Sequence, residues 1–327
     1  MKMEAQAVLE RSPSASNNSK KLKNYLKRYW TLYLLLFLPL TYFIVFRYWP
    51  MLYLQTALKD YKLNMSVWEM PWATNRAGEQ DIWIHFRTAF GSTEFWRALI
   101  NTLRLNLLDL ALGFPAPIIM ALLLNELVFS RFKRVTQTIS YMPHFLSWII
   151  IAALATQLLA PTNGLVNIWL RGIGLDTINF LNIPWNWVWS YVFIGIWQNL
   201  GWGSIIYLAA MTAINQELYE AAAVDGASRM RKIWHITLPG IRPTIITLLI
   251  LAIGGIVASN FDRPFALRNP LIYEMSDVMS IYMYRIGLLD MKFSLSTAVG
   301  VFSSVINVVF LFSANAIAKR VGERGIW

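Results

Sequence analysis

Six long apolar segments alternate with shorter polar ones along the chain, at residues 30–46 and at about 100–124, 137–160, 187–212, 242–261 and 294–318. The first reads WTLYLLLFLPLTYFIVF and carries no charge. A helix needs about 20 apolar residues to cross roughly 30 Å of hydrocarbon, and a helix satisfies its backbone N–H and C=O groups within its own segment. The pattern therefore predicts an all-α membrane protein with six transmembrane helices. Residues 1–29 stand apart: they are polar, contain Pro, Ser and Asn, lack an apolar period and end in the basic run KKLKNYLKR at 20–28. A disordered, basic, cytoplasmic N-terminal tail is expected there. No small-x-small cleavage site follows the first apolar run, so it reads as a retained signal anchor, and residues 30–327 as one transmembrane domain.

Composition agrees with this class. Of 327 residues, 56% are hydrophobic and 14% charged, with 15 Trp, and the mean hydropathy is +0.44. A soluble domain has difficulty covering that much apolar surface. The absence of Cys excludes disulfides, thiolate chemistry and Cys-ligated metal.

The net charge of +11 is read as topology, with no nucleic-acid partner expected, because the bases gather at the ends of apolar segments. One set of connecting segments holds Lys20, Lys21, Lys23, Lys27 and Arg28, then Arg131, Lys133 and Arg134, then Arg229, Arg231 and Lys232, then Lys319, Arg320 and Arg324. In the opposite set, Lys59, Lys62, Arg76, Arg87 and Arg97 are balanced by Asp60, Glu69, Glu79, Asp81 and Glu94. The positive-inside rule puts both termini in the cytoplasm of a multi-pass inner-membrane protein in contact with lipid. Trp185, Trp187 and Trp189, beside Pro184, are expected in an aromatic belt at the outer interface, the alternative being a sugar-stacking platform.

The polar insert ELYEAAAVDGASRMRKIWHITLP lies within the cytoplasmic loop at 213–240 between the fourth and fifth apolar segments. Residues 217–224 read as a short helix: Glu217 suits the dipole, three Ala favour helix, and Gly226 supplies a left-handed cap. A second short helix from about Ser228 to His235 is expected to stop before Pro239. Ala221, Ala222 and Ala223 make a slim surface that a partner's groove can approach, and Glu217 and Glu220, three apart, share a face that can meet that partner's bases. The alternative is an ordinary surface loop whose Ala residues are only helix formers.

The spacing Glu220-Ala221-Ala222, three residues, Gly226, nine residues, Ile236-x-Leu238-Pro239 resembles the EAA motif of binding-protein-dependent ABC importer permeases. The runs GFPAPIIMALLLNE (113–126), QTISYMPHFLSW (137–148), GIWQNLGWGSIIYLAA (195–210) and DGASRMRKIWHITLPGIRPTI (225–245) are similar to carbohydrate permeases of the MalF type, especially the lipoprotein-associated polysaccharide-uptake subgroup. The resemblance covers nearly all of residues 25–327. It implies a type I ABC importer permease fold in which the helix with Glu220 and Ala221 is a cytoplasmic coupling helix seated on an ATPase, with Gly226 in the turn after it. The coupling set it implies is Glu217, Glu220, Ala221, Ala222, Asp225, Gly226, Arg229, Leu238 and Pro239. The partners it implies are two ATPase subunits, a second homologous permease and an extracytoplasmic solute-binding protein. ATP and Mg would be bound by the ATPase, since the chain contains no G-x-x-x-x-G-K-[ST] run.

Polar groups at membrane depth mark the expected pathway. A charge at a helix centre costs about 2.5 to 3.5 kcal/mol on insertion scales, so it faces the bundle interior or a water-filled cavity. Arg104 and Asp109 in the second span are such residues; Arg104 either favours an acidic sugar at the pathway or snorkels, and Asp109 either lines the pathway or pairs within the bundle. Gln157, Gln198, Asn199 and Asn260 are neutral amides suited to hydroxyl-rich ligands or to helix-to-helix hydrogen bonds. Asp262 and Arg263 are expected at the outer end of the fifth span, facing either a binding protein or solvent. His85, His144 and His235 show no metal-ligand spacing, and no catalytic or metal site is assembled. The function expected is the transmembrane subunit of an importer for an oligosaccharide, such as an acidic uronic-acid oligomer. An ion-coupled secondary carrier and a membrane-embedded sugar transferase are the alternatives; the absence of a fixed-period repeat or of similar halves weighs against the first, and the absence of clustered carboxylates against the second.

Overall fold

The computed structural model describes residues 15–258, 260–322 and 325–326. The chain divides into two units, Met1–Gln55 and Thr56–Trp327. In the first unit the helix Ala15–Phe43 runs into a π-turn at Ile44–Tyr48 and a short helix at Trp49–Met51. The apolar stretch Asn24–Leu58 is long enough to cross a membrane and its most apolar window is unburied. An apolar surface of this kind suits a helix whose solvent is hydrocarbon. The expectation of disorder through residue 29 is corrected, because the helix already begins at Ala15. Lys, Leu and Arg at 20–28 are good helix formers and extend the apolar helix toward the amino terminus. Residues 1–14 and Arg324 lie outside the described residues.

The second unit holds four continuous helices of membrane-crossing length: Thr93–Glu126, Pro184–Thr212, Arg229–Gly254 and Phe293–Arg320. The segment expected as a straight third span is bent: Ser130–Phe145 and Trp148–Leu158 meet at 105°. The cause is local. Pro143 sits in a 3-10 turn at Met142–Phe145, and the next helix starts afresh with Ser147 Oγ accepting from the Ile150 N–H at 3.4 Å. With the bent pair counted as one, the described residues contain six spans.

The fifth span is also displaced from its expected bounds, starting at Arg229 and ending at Gly254. The expected stop before Pro239 does not occur. A π-turn at Ile233–Thr237 carries the helix through, with the Leu238 N–H donating to the Ile233 carbonyl. Pro239 follows that π-turn directly, where the α-helical hydrogen-bond register is already interrupted and one missing N–H is tolerated.

Three apolar clusters hold the second unit together. One gathers Leu105, Trp187, Tyr191, Leu267 and Ile281, a second Phe95, Met279, Tyr282 and Val299, and a third Ala121, Tyr207, Met211 and Ile241. Trp187 is therefore not part of an aromatic belt. It is 0% exposed, and its Nε1–H donates to the Leu267 carbonyl at 2.9 Å. Residues two apart on a helix point about 200° apart, so Trp185 and Trp189 stay exposed while Trp187 turns inward. At the start of the helix Thr93–Glu126, the fully buried Asp277 carboxylate receives Arg285 at 2.9 Å and Arg97 at 3.5 Å, and Arg285 also reaches Glu94 at 2.7 Å.

Candidate pathway cavity and coupling loop

The second span changes from α to π geometry at Asp109–Gly113, where the Phe114 N–H donates to the Asp109 carbonyl at 3.0 Å. The Asp109 carboxylate meets the Arg263 guanidinium through Nη1 at 2.6 Å and Nη2 at 3.3 Å. Arg263 lies on the short helix Asp262–Leu267 and is 8% exposed. It therefore faces neither solvent nor an external protein. Asp262 beside it is exposed. Arg263 also donates to the Tyr191 carbonyl and lies 3.6 Å from the Tyr191 ring centre and 5.4 Å from that of Trp148. This seat needs a glycine: a Cβ at Gly195 would collide with the guanidinium.

Around this pair lies a cavity of about 270 Å³ lined by Asn106, Asp109, His144, Trp148, Tyr191, Gln198, Asn199, Asn260 and Arg263. Four residues expected in the pathway thus come together: Asp109, Gln198, Asn199 and Asn260. Gln198 Nε2 donates to the His144 carbonyl at 3.4 Å, Asn199 Nδ2 to the Gly195 carbonyl at 3.2 Å, and Asn260 Oδ1 accepts from the Asp262 N–H at 3.1 Å. Each amide keeps further donor or acceptor capacity for hydroxyl groups. Arg104 and Gln157 are elsewhere. Arg104 donates to Asn101 Oδ1 at 3.2 Å, touches Met275 Sδ and lies 5.5 Å from the Trp185 ring centre. Gln157 is exposed on the helix Trp148–Leu158.

Five lining residues were missed as pathway candidates. Asn106 follows the second span's polar register one turn before Asp109, and its Nδ2 donates to the Ile256 carbonyl at 2.6 Å. His144 stacks on Trp202, with ring centres 4.6 Å apart and planes 2° apart. Trp148 and Tyr191 resemble any other span aromatics in sequence. Arg263 gave a signal, a cation beside an apolar run, but its partner is 154 residues away.

The loop at 213–240 forms a second candidate site. Asn215 Oδ1 accepts from the Glu217 N–H at 3.0 Å and starts the helix Gln216–Val224. At its other end Gly226 donates to the Ala223 carbonyl at 3.1 Å and Ala227 to the Ala222 carbonyl at 2.8 Å, with Gly226 at φ +72°. These paired bonds form a Schellman cap, and its left-handed residue favours glycine. The Tyr219 hydroxyl lies 2.9 Å from Thr237 Oγ1 and ties the helix to the π-turn of the next span.

Glu217, Glu220, Ala221, Asp225, Gly226, Arg229 and Pro239 are exposed on this loop, whereas Ala222 and Leu238 are half-buried. Leu218, Val224, Met230 and Trp234 are exposed as well. These four apolar side chains, not singled out from the sequence, expose apolar area on the same loop as its acids and bases. Among the described residues no three His, Cys, Asp or Glu side chains gather into a metal site.

The model of a family described as binding-protein-dependent transport system inner membrane component matches residues 113–323. The LplB protein of Bacillus subtilis (strain 168) is 40% identical over 303 residues, 92% of either chain. The polygalacturonan/rhamnogalacturonan transport system permease protein YteP of the same organism is 41% identical over 297 residues, 90% of either chain. A chain in the crystal structure of a bacterial ABC transporter involved in the import of the acidic polysaccharide alginate is 40% identical, with a TM-score of 0.82 over 93% of this chain and 100% of that one. A chain of a bacterial alginate ABC transporter in complex with an alginate pentasaccharide-bound periplasmic protein gives the same identity and TM-score over 94% and 100%.

Proposed function

The chain belongs to the family of binding-protein-dependent transport system inner membrane components, and on that premise we propose that it forms half of the translocation pathway of an importer for acidic oligosaccharides. It is a non-catalytic, integral-membrane ABC permease with the type I fold. The carrier and transferase alternatives are set aside by this membership. The observation that carries the substrate reading is the cavity, where amides and two aromatic rings surround a guanidinium seated by backbone and rings. Amides bind sugar hydroxyls, rings cover sugar C–H faces, and a guanidinium selects carboxylates. The relatives named for polygalacturonan and alginate transport support the same class.

In this reading both termini and the loop at 213–240 face the cytoplasm. The helix Gln216–Val224 docks in a groove of one of two ATPase subunits, which bind ATP and Mg. A second, homologous permease completes the pathway, and an extracytoplasmic binding protein delivers the sugar. ATPase closure moves the docked helices and switches the spans as rigid bodies between inward-open and outward-open states. The test is uptake by proteoliposomes carrying the whole complex. ATP-dependent entry of a uronic-acid oligosaccharide in preference to a neutral one of equal length is expected; preference for the neutral sugar overturns the acidic assignment.

A further inference from the structure

Asp109 and Arg263 are the two charged side chains lining the cavity, and they neutralise each other. Their anchoring is unequal. Arg263 is held by three groups that do not involve Asp109: the Tyr191 carbonyl, the Tyr191 ring at 3.6 Å and the Trp148 ring at 5.4 Å. Its side chain is 9% exposed, whereas that of Asp109 is 28% exposed. Asp109 also opens the π-turn Asp109–Gly113. Such turns interrupt the α-helical register and recur at functional sites. The cation is therefore held independently of its partner, while the more accessible anion stands at a break in the α-helical register.

We infer that Asp109 is an exchangeable stand-in for a substrate carboxylate: when an acidic sugar unit enters the cavity, its carboxylate replaces Asp109 on Arg263. The inference rests on the acidic-oligosaccharide reading above. It adds that the transporter's own carboxylate competes with the ligand. Exchange lets the buried guanidinium remain paired in both states, and the displaced Asp109 carboxylate, whose side chain is already 28% exposed, is left to water in the cavity. A neutral sugar gains nothing from the exchange and leaves the pair closed. Asp109 thus limits affinity for acidic sugars while protecting the empty cavity, and Arg263 provides the selectivity.

The experiment compares wild type, D109N, R263Q and the double variant D109N/R263Q in the complete complex in proteoliposomes. Uptake of a tri-uronate and of a neutral trisaccharide is measured, with each complex first checked for assembly and ATP hydrolysis. Removing the competitor in D109N is expected to lower KM for the tri-uronate about fivefold, and R263Q to raise it at least about tenfold, the scale of a charge-assisted hydrogen bond. The double variant leaves neither charge without its partner, so it remains informative if R263Q alone fails to assemble. It is expected to lose the preference for the acidic sugar. A D109N complex whose KM rises for both sugars, or a double variant that keeps the wild-type preference, overturns the exchange while leaving the acidic-importer reading intact. A wild-type complex that does not take the tri-uronate overturns both.

Discussion

Substitution of Gly226 separates the helix stop seen in the loop at 213–240 from the docking role proposed for it. Gly226 sits at φ +72°, and a Cβ added there meets nothing within 4 Å. The cost inside this chain is therefore conformational rather than steric. A left-handed non-glycine residue costs roughly 1–2 kcal/mol, less for Asn and Asp, whose side chains bond locally. Against a typical folding stability of about 5–15 kcal/mol, each variant should insert and fold. If the loop only stopped a helix, Gly226→Asn and Gly226→Asp would be nearly silent and Gly226→Ala would be the worst of the three. Docking moves Gly226→Asp from nearly silent to the worst of the three. Asp and Asn have nearly the same bulk, so their difference isolates the charge placed against the ATPase groove. We expect Gly226→Asn to keep most uptake, Gly226→Ala to lose about fivefold, the factor for 1 kcal/mol taken from the docked cap conformation, and Gly226→Asp to retain the permease pair but little ATPase. The assay is purification through a tag on this chain, quantification of the ATPase that accompanies it, and ATP-driven uptake. A Gly226→Asp complex with wild-type ATPase retention and uptake refutes the docking assignment.

Gly195→Ala places a methyl in the seat of Arg263. Overpacking of this kind costs about 1–3 kcal/mol, so a drop in thermal stability and selective loss of acidic-sugar uptake are expected; unchanged selectivity counts against the seat. Asp277→Asn removes the carboxylate held by Arg97 and Arg285. Arg97 and Arg285 are 32% and 25% exposed and Arg285 keeps Glu94, so the cost falls below the ~3–5 kcal/mol of breaking a fully buried pair; a reduced yield of folded protein in detergent is the readout, with wild-type yield contradicting it. Arg104→Ala is expected to change acidic and neutral uptake equally, because Arg104 does not line the cavity; a loss confined to acidic sugars returns Arg104 to the pathway.

Local signals in the sequence carried much of this architecture. Three Ala followed by Asp-Gly announced the helix Gln216–Val224 and its left-handed stop, because helix propensity and the φ demand of a Schellman cap are properties of neighbouring residues. Polar side chains at membrane depth converge because lipid gives them no partner, which is why Asp109, Gln198, Asn199 and Asn260 meet around one cavity. Long-range and competing effects were less legible. Arg263 reads as an end-of-span cation until the chain brings Asp109 to it from a residue 154 positions away. Pro143 was visible but its consequence was not, since a proline can kink, end or merely begin a helix. At Pro239 the opposite error arose, because the π-turn at Ile233–Thr237 let the helix continue. The three alternate tryptophans invited one shared role, whereas helical geometry turns Trp187 into the core and leaves its neighbours outside.

In the proposed importer this chain transmits ATP hydrolysis in a partner to the movement of a sugar through its own spans. The most direct measurement is to tag the chain in its native membrane, purify it gently, identify its companions by mass spectrometry, and assay hydrolysis with and without a loaded binding protein. An ATPase and a second permease in the eluate, with hydrolysis stimulated by the sugar-loaded binding protein, is the expected result. A chain that purifies alone, or a complex whose hydrolysis ignores the loaded binding protein, contradicts it.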